Sequence, residues 1–330
     1  MKRHSTPRTP RGLAFLSLLL VLVVGPGALA ASASHDTLPD KAFWPGHGVC
    51  YGPHRDGQRP GGPDPTSEQI REDLDLMRHQ WRLLRMYGTR GSAETALRVI
   101  ADNGWDMKVM LGVWIAPDDT AANNAEIAKV AELVRAYPRQ VWAVSVGNET
   151  QVFWSTHKVP LSELVGAVRE VRAELRKFSS VPVTVADDYP FWLEPRSVEL
   201  AAELDFLTVH AHPLWNGKQL DEALPWVRET LEKVREVHPG KKVILGETGW
   251  ATAVADEGEQ AELIKGRPGE KEQAKFYNEV RRWSLDTGET AFFFEAFDEN
   301  WKGGDDPAEV EKHWGVFRVD RSEKAALGRR

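Results

Sequence analysis

The sequence predicts an α/β protein, a single (β/α)8 barrel with its active site at the carboxyl ends of the strands, and three observations point there. Eight short apolar runs recur along the 330 residues, stretches with helical spacing separate them, and polar or aromatic side chains gather where nearly every run stops. No low-complexity segment or long linker divides the chain, so one large core is the simplest organisation.

The N-terminal segment comes first. Lys2, Arg3, Arg8 and Arg11 lead into the apolar run Leu13 to Val24 and then to small residues ending Ala-Leu-Ala-Ala-Ser-Ala, the layout of a secretory signal peptide cleaved after Ala30 or Ala33. Residues 1–33 are therefore expected to be removed and residues 34–330 to form the catalytic domain, secreted or periplasmic. The apolar run is short for a bilayer span, so membrane attachment is expected only if the leader stays uncleaved. Cleavage would remove four positive charges and no negative ones from a chain whose net charge is already −7. An acidic exported protein has no electrostatic reason to bind nucleic acid. Cys50 is the single cysteine, which excludes an intrachain disulfide and a cysteine-built zinc site.

The strands and helices then follow in order. Gly48 to Tyr51 is the first apolar run; after it, Thr66-Ser-Glu-Gln69 has the form of a capping box, and Ile70, Leu74 and Met77 share one helical face. Leu83 to Tyr87 and Lys108 to Val113 are the next two runs, followed by a helical stripe at Ile127, Val130 and Val134. Val141 to Val146 precedes a stripe at Leu161, Leu164, Val165 and Val168. Pro182 to Ala186 and Phe206 to Val209 come next, before the stripe Leu224, Val227, Leu231 and Val234. Lys242 to Leu245, the stripe Phe276, Val280 and Trp283, and Ala291 to Phe294 complete the series. Each run reads as a strand buried on both faces, which is what a parallel sheet covered by helices requires. An open doubly wound sheet is the rival architecture, but no Gly-x-Gly-x-x-Gly follows the first strand, so its phosphate-binding device is missing.

In a closed parallel barrel all strand ends meet at one mouth, so residues distant in sequence converge. Those positions hold Tyr51, Arg85, Tyr87, Trp114, Asn148, Glu149, Asp187, Asp188, Tyr189, His210, His212, Glu247, Trp250, Glu295, Asp298, Glu299, Trp301 and Lys302. Glu149 and Glu247 each close a buried apolar run beside a glycine. Paired carboxylates at such a mouth suit glycosidic cleavage: one, kept protonated, serves the departing oxygen, while the other, ionised, attacks the anomeric carbon. Asn148 beside the acid can hydrogen-bond a sugar 2-hydroxyl. Thirteen tryptophans is a high number, and Trp114, Trp154, Trp192, Trp215, Trp250 and Trp301 fall in predicted loops, where flat rings can pack on sugar faces.

With "VGNE" and "GETGW" in hand, the chain resembles glycoside hydrolase family 17, the β-1,3-glucanase and glucanosyltransferase family. "YGPHRDGQRP" with "SEQIREDLDLM" is similar to the opening strand and helix of bacterial members, "LLRMYGT" to their second strand, and "FFFEAFDENWK" with "EKHWGVF" to their eighth strand and the loop beyond. The similarity spans roughly residues 46 to 319. It implies Glu149 as acid/base, Glu247 as nucleophile, retention of anomeric configuration, and a site lined by Glu299 and Lys302, with Glu311 matched through a loop of irregular length. Lys302 near Glu247 would favour the ionised nucleophile. A β-glucan oligo- or polysaccharide is the implied substrate. Tyr51, Arg85, Tyr87, Asn148, His210, His212, Trp250, Glu295, Asp298, Glu299, Trp301 and Lys302 are expected to bind it.

Rival classes are weighed on the same residues. His210-Ala-His212 could aim two imidazoles at a metal, as in amidohydrolase-type barrels, but those carry His-x-His on the first strand, where this chain has only the flanking His47 and His54. No metal or cofactor is expected, and His210 and His212 are read as partners of sugar hydroxyls or of Glu247. A non-catalytic carbohydrate-binding barrel would be expected to have lost one carboxylate of the pair. Hydrolysis and transglycosylation share every step up to the glycosyl-enzyme, and the sequence leans only modestly to hydrolase. A monomer is expected.

Overall fold

The computed structural model describes residues 46–328, and the predicted leader lies outside the described residues. The described strands are β1 (His47–Cys50), β2 (Leu83–Arg85), β3 (Lys108–Val113), β4 (Val141–Asn148), β5 (Val183–Asp188), β6 (Leu207–His210), β7 (Val243–Thr248) and β8 (Ala291–Phe293). They close into a barrel in sequence order. Every pairing is parallel, including the closing one between β1 and β8.

Helices α1 (Ser67–Met77), α2 (Ser92–Asp102), α3 (Thr120–Ala136), α4 (Leu161–Leu175), α5 (Tyr189–Trp192), α6 (Ser197–Ala202), α7 (Leu220–Val237), α8 (Gly258–Leu263) and α9 (Glu270–Thr287) fill the crossovers. The capping box at the start of α1 forms as the spacing predicts: Gln69 N donates to Thr66 Oγ1 at 3.2 Å, and Thr66 N donates to Gln69 Oε1 at 2.8 Å. Ile70, Leu74 and Met77 are buried beneath it. α3 starts on Asp119, whose side chain accepts from Ala122 N at 3.0 Å. α9 stops at Gly288, whose φ of 73° suits a residue without a Cβ.

Strands β5 and β7 are buried at every position, because the barrel core covers one face and the helices the other. That two-sided burial is why the strands read as continuous apolar runs rather than alternating ones. α2 is the long helix that the apolar stripes did not announce. Half of its buried face is alanine and serine (Ser92, Ala93, Ala96), with Leu97, Val99 and Ile100 completing it, so the stripe is written partly in small residues rather than in large apolar ones.

Candidate active site

The end of β4 shows how the chain turns two polar side chains into the mouth. Pairing of β4 with β5 slips between Ser145 and Asn148, Gly147 takes φ 75°, and Glu149 itself takes φ 50°, the left-handed region that a residue with a Cβ rarely adopts. A Cβ on Gly147 would also come within 2.9 Å of Leu164 Cδ1 on α4, so glycine is needed there twice over. The irregular turn is held from several sides. Glu149 N donates to Ala186 O at 2.9 Å, His157 Nε2 lies 2.7 Å from Asn148 O, and Arg85 Nη2 donates to Asn148 Oδ1 at 2.5 Å.

Across the barrel axis, β7 delivers Glu247 into a nest of donors. Arg85 Nη1 pairs with its Oε1, Tyr87 hydroxyl donates to the same oxygen at 3.0 Å, and His212 Nε2 stands 3.3 Å from Oε2. His210 bridges the two carboxylates: its Nδ1 is 2.8 Å from Glu149 Oε1, and its Nε2 faces Glu247 Oε1 at 3.5 Å. Gly246 makes room for that imidazole, since a Cβ there would meet Thr208 Cγ2 at 2.3 Å and His210 Cδ2 at 3.0 Å.

The environments drive the two carboxylates apart. Burial, then the charges of Glu247 and Asp188, raise Glu149 well above the usual carboxylate range. Burial opposes ionisation of Glu247 too. There, however, the Arg85 guanidinium and the His212 hydrogen bond prevail and hold it well below that range. Burial pushes His210 down to about 3, so its imidazole is neutral. The shifts favour the proton-bearing form of Glu149 and the anion of Glu247, the division of labour that lets one site run acid and nucleophile together.

Oxygens of Glu149 and Glu247 and a nitrogen of His210 lie within 4.8 Å of one another, a spacing that divalent ions also use. The donor set fits such an ion poorly. Arg85 already places a positive charge on Glu247, and the surroundings of Glu149 disfavour its charged form.

A second polar cluster hangs from β8. Lys302 Nζ sits 2.7 Å from Glu295 Oε1 and 2.9 Å from Glu299 Oε2, and His54 Nδ1 lies 3.3 Å from Glu299 Oε1. Burial opposes charge on Glu299, but Lys302 and hydrogen bonds from His54 and Trp301 pull it down to about 2. Glu295 moves the other way. Burial raises its pKa more than Lys302 lowers it, and its Oε2 is buried without a hydrogen-bond partner. Trp301 stays 40% exposed above this cluster, its ring edge-on to His54. Glu311 accepts from Trp215 Nε1 at 3.1 Å and adds its charge to those acting on Glu295 and Lys302.

Arg85, Tyr87, Asn148, Glu149, His210, His212 and Glu247 thus converge, and Glu295, Glu299, Trp301 and Lys302 form the neighbouring cluster. Five expectations are corrected. Lys302 neutralises Glu295 and Glu299, whereas the cation on Glu247 is Arg85. Tyr51 is buried outside the mouth, its hydroxyl donating to Asp73 of α1 at 3.2 Å. Trp250 is fully buried, with Nε1 bonded to Arg267 O at 2.9 Å and its ring against Phe276, and Trp192 is likewise a core residue. Asp298 is paired with Lys324 at 2.7 Å and accepts from Gly315 N, so it anchors a loop. Tyr51 turns to α1 and Trp250 to α9, while Asp298 is drawn to Lys324 of the C-terminal segment. Asp188, His54 and His157 belong to the site, although the sequence did not single them out as binding residues. Asp188 did stand at a strand end, and that position was the available signal.

With this geometry established, the chain can be set beside known proteins. Residues 48–315 match the family described as the BtgE/BtgC glycoside hydrolase domain. The chain is 28% identical to a glucan 1,3-beta-glucosidase of Arthroderma benhamiae, over 81% of this chain and 86% of that protein. A glucan 1,3-beta-glucosidase of Schizosaccharomyces pombe is also 28% identical, over 77% of this chain and 79% of the relative. Among solved structures, an endo-laminarinase from Formosa superposes with a TM-score of 0.75 at 24% identity, covering 89% of this chain and 88% of the other. A family 17 beta-1,3-glucanosyltransferase from Rhizomucor miehei superposes with a TM-score of 0.69 at 24% identity, covering 87% and 97%.

Proposed function

This chain belongs to the BtgE/BtgC glycoside hydrolase family, and from that premise we propose that it cleaves β-1,3-glucan with retention of configuration, through a glycosyl ester on Glu247. The observation that carries the reading is the carboxylate pair: oxygens within 4.8 Å of one another, on groups driven to opposite protonation states. Retaining enzymes hold their carboxyl groups about 5 to 5.5 Å apart, while inverting ones need about 6.5 to 9.5 Å to admit a water. The β-1,3-glucan substrate is supported by the names of the relatives and the recurrence of that linkage among them.

In the first step the Glu149 carboxyl donates its proton to the glycosidic oxygen while the Glu247 carboxylate bonds to the anomeric carbon, and the leaving sugar departs. Glu149 is then a carboxylate. In the second step it takes a proton from a water, or from a sugar hydroxyl, that attacks the same carbon and frees Glu247. Arg85 orients both partners at once, since one guanidinium arm holds Glu247 and the other takes the Asn148 amide oxygen. That leaves the Asn148 NH2 to donate to the substrate, as a clamp on a 2-hydroxyl requires.

Export is proposed on the leader's layout alone, a basic start, an apolar core and small residues. The activity is tested by incubating the chain with a reducing-end-labelled β-1,3-gluco-oligosaccharide and weighing the products by mass spectrometry, with Glu247→Ala as control. Shorter fragments in the wild type alone mark a glucanase. Longer products mark a glucanosyltransferase using the same ester. No change in the wild type removes the substrate.

A further inference from the structure

The loop that joins β4 to α4 begins with the proton donor and carries Phe153 and Trp154, which are 72% and 48% exposed. Exposed aromatic rings cost free energy in water, and on a slack loop they would turn inward. This loop is not slack. Asp187 accepts from Gln151 N at 2.8 Å and Val152 N at 3.1 Å, and Gln151 Nε2 donates to Val159 O at 2.9 Å. Arg196 grips Gln151 through Nη1 to Oε1 at 3.0 Å and Nη2 to the backbone oxygen at 2.8 Å, while Lys158 Nζ holds Phe153 O at 2.8 Å. The Trp154 indole is itself aimed, its Nε1 donating to Asp188 Oδ2 at 3.3 Å. Asp188 is in register with His210, whose Nδ1 lies 2.8 Å from Glu149 Oε1, so the indole is tied to the acid's side of the mouth.

The acid must reach the oxygen of the departing sugar, so that sugar lies on the acid's side of the scissile bond. The other exposed ring at the mouth, Trp301, follows β8, which lies opposite β4 in the closed ring. The two aromatics therefore flank the carboxylate pair from opposite sides. A glucan chain laid across the mouth meets Trp301 on one side of the cut and Trp154 on the other.

We propose that Trp154, with Phe153 beside it, is the platform for the β-linked glucosyl unit on the leaving-group side, and that it retains an acceptor sugar there so that transfer competes with hydrolysis. The proposal rests on the glycosidase reading above. In the transfer step an acceptor hydroxyl bonds to the anomeric carbon, the bond from that carbon to Glu247 breaks with its electron pair returning to the carboxylate, and the hydroxyl proton passes to Glu149. Flat rings favour this because the axial C–H faces of a β-glucosyl unit are apolar, and stacking them removes apolar surface from water.

The test uses the full chain with an aryl glycoside of a β-1,3-linked glucose disaccharide and increasing β-1,3-gluco-oligosaccharide as acceptor. The ratio of transfer product to hydrolysis product is read at each concentration. Trp154→Ala is expected to lower that ratio roughly tenfold and Phe153→Ala less, while Trp154→Phe, which keeps a ring but loses the bond to Asp188, stays nearer the wild type. An unchanged ratio in Trp154→Ala, or an equal fall in Trp154→Phe, overturns the platform. Calorimetric binding of the same oligosaccharide to Glu247→Ala, with and without Trp154→Ala, runs alongside. If the wild type releases no aryl group, the catalytic reading falls, and the calorimetry still decides the platform: a roughly tenfold weaker affinity on loss of Trp154 supports it, and equal affinities overturn it.

Discussion

Arg85 is the permanently charged cation on the nucleophile. It is buried, it pairs with Glu247, and it fixes the Asn148 amide. Arg85→Met removes the cation that favours ionised Glu247, so the nucleophile's pKa rises. Because the reacting form is the anion, the acidic limb of the kcat/KM profile is expected to move to higher pH by about one unit or more, alongside a large fall in kcat. A limb that stays in place while activity falls would show that His210 and His212 alone hold the carboxylate. Glu149 works in the opposite direction. Its raised pKa keeps the proton donor loaded below that pKa and empties it above, so it governs the basic limb. Glu149→Gln is expected to lose most activity on glucan and much less on aryl glycosides whose leaving groups need no proton, a difference that parallel kinetics on the two substrates would reveal.

At the scale of elements, the catalytic dyad depends on short irregular segments fixed by buried acids. Asp187 at the end of β5 accepts from the backbone N–H groups of Gln151, Val152 and Asp188, so one carboxylate ties the loop carrying Glu149 to the next strand. Asp187→Ala leaves those donors unsatisfied, at about 1–3 kcal/mol for each that water does not reach. The loop should loosen while the barrel persists. The expected signature is a fall in kcat/KM on glucan of about ten- to a hundredfold with far-ultraviolet circular dichroism unchanged. Glu126 on α3 has the same role in the preceding crossover, accepting from Thr89 N at 2.8 Å and Trp114 N at 3.2 Å. Such acids are hard to recognise in a sequence, because an Asp or Glu in a helix or loop is usually a solvated charge.

For the whole molecule, the closing strands and the C-terminal segment are held by buried ion pairs. Asp73 of α1 accepts from Arg321 Nε and Nη2, each at 2.8 Å, and from Arg55 Nη2 at 2.9 Å, with the Tyr51 hydroxyl also on it. Lys324 is clamped between Asp298 and Thr252. These contacts tie the end of the described chain to its first helix and to the loop after β8, the loop that also carries Glu299, Trp301 and Lys302. Removing one member of a buried pair strands the other, so Asp73→Ala is expected to cost about 3–5 kcal/mol, read as a lower midpoint in urea unfolding. A midpoint within error of the wild type would show that water reaches Arg55 and Arg321 and replaces the carboxylate.

The barrel, the order of its strands and the acid and nucleophile candidates are legible in the sequence, because these follow from local signals. Two-sided burial writes a strand as an apolar run, a helix writes its buried face every third or fourth residue, and Glu149 and Glu247 stand where such runs end. Where a buried face is written partly in small residues, as at Ser92, Ala93 and Ala96 of α2, the element was not foreseen. Which strand-end side chains look into the mouth is settled by the closed fold. Tyr51, Trp250 and Asp298 share the position of true site residues along the chain, but Tyr51 turns to Asp73 of α1, Trp250 to Phe276 of α9, and Asp298 to Lys324 of the C-terminal segment. It also decided who neutralises whom. Lys302 lies close in sequence to Glu299 and pairs with it, while the cation on Glu247 comes from β2, a choice made by through-space distance across a closed sheet. Protonation states follow from the same cause: burial and the nearest charges set them, and both exist only once the barrel has closed.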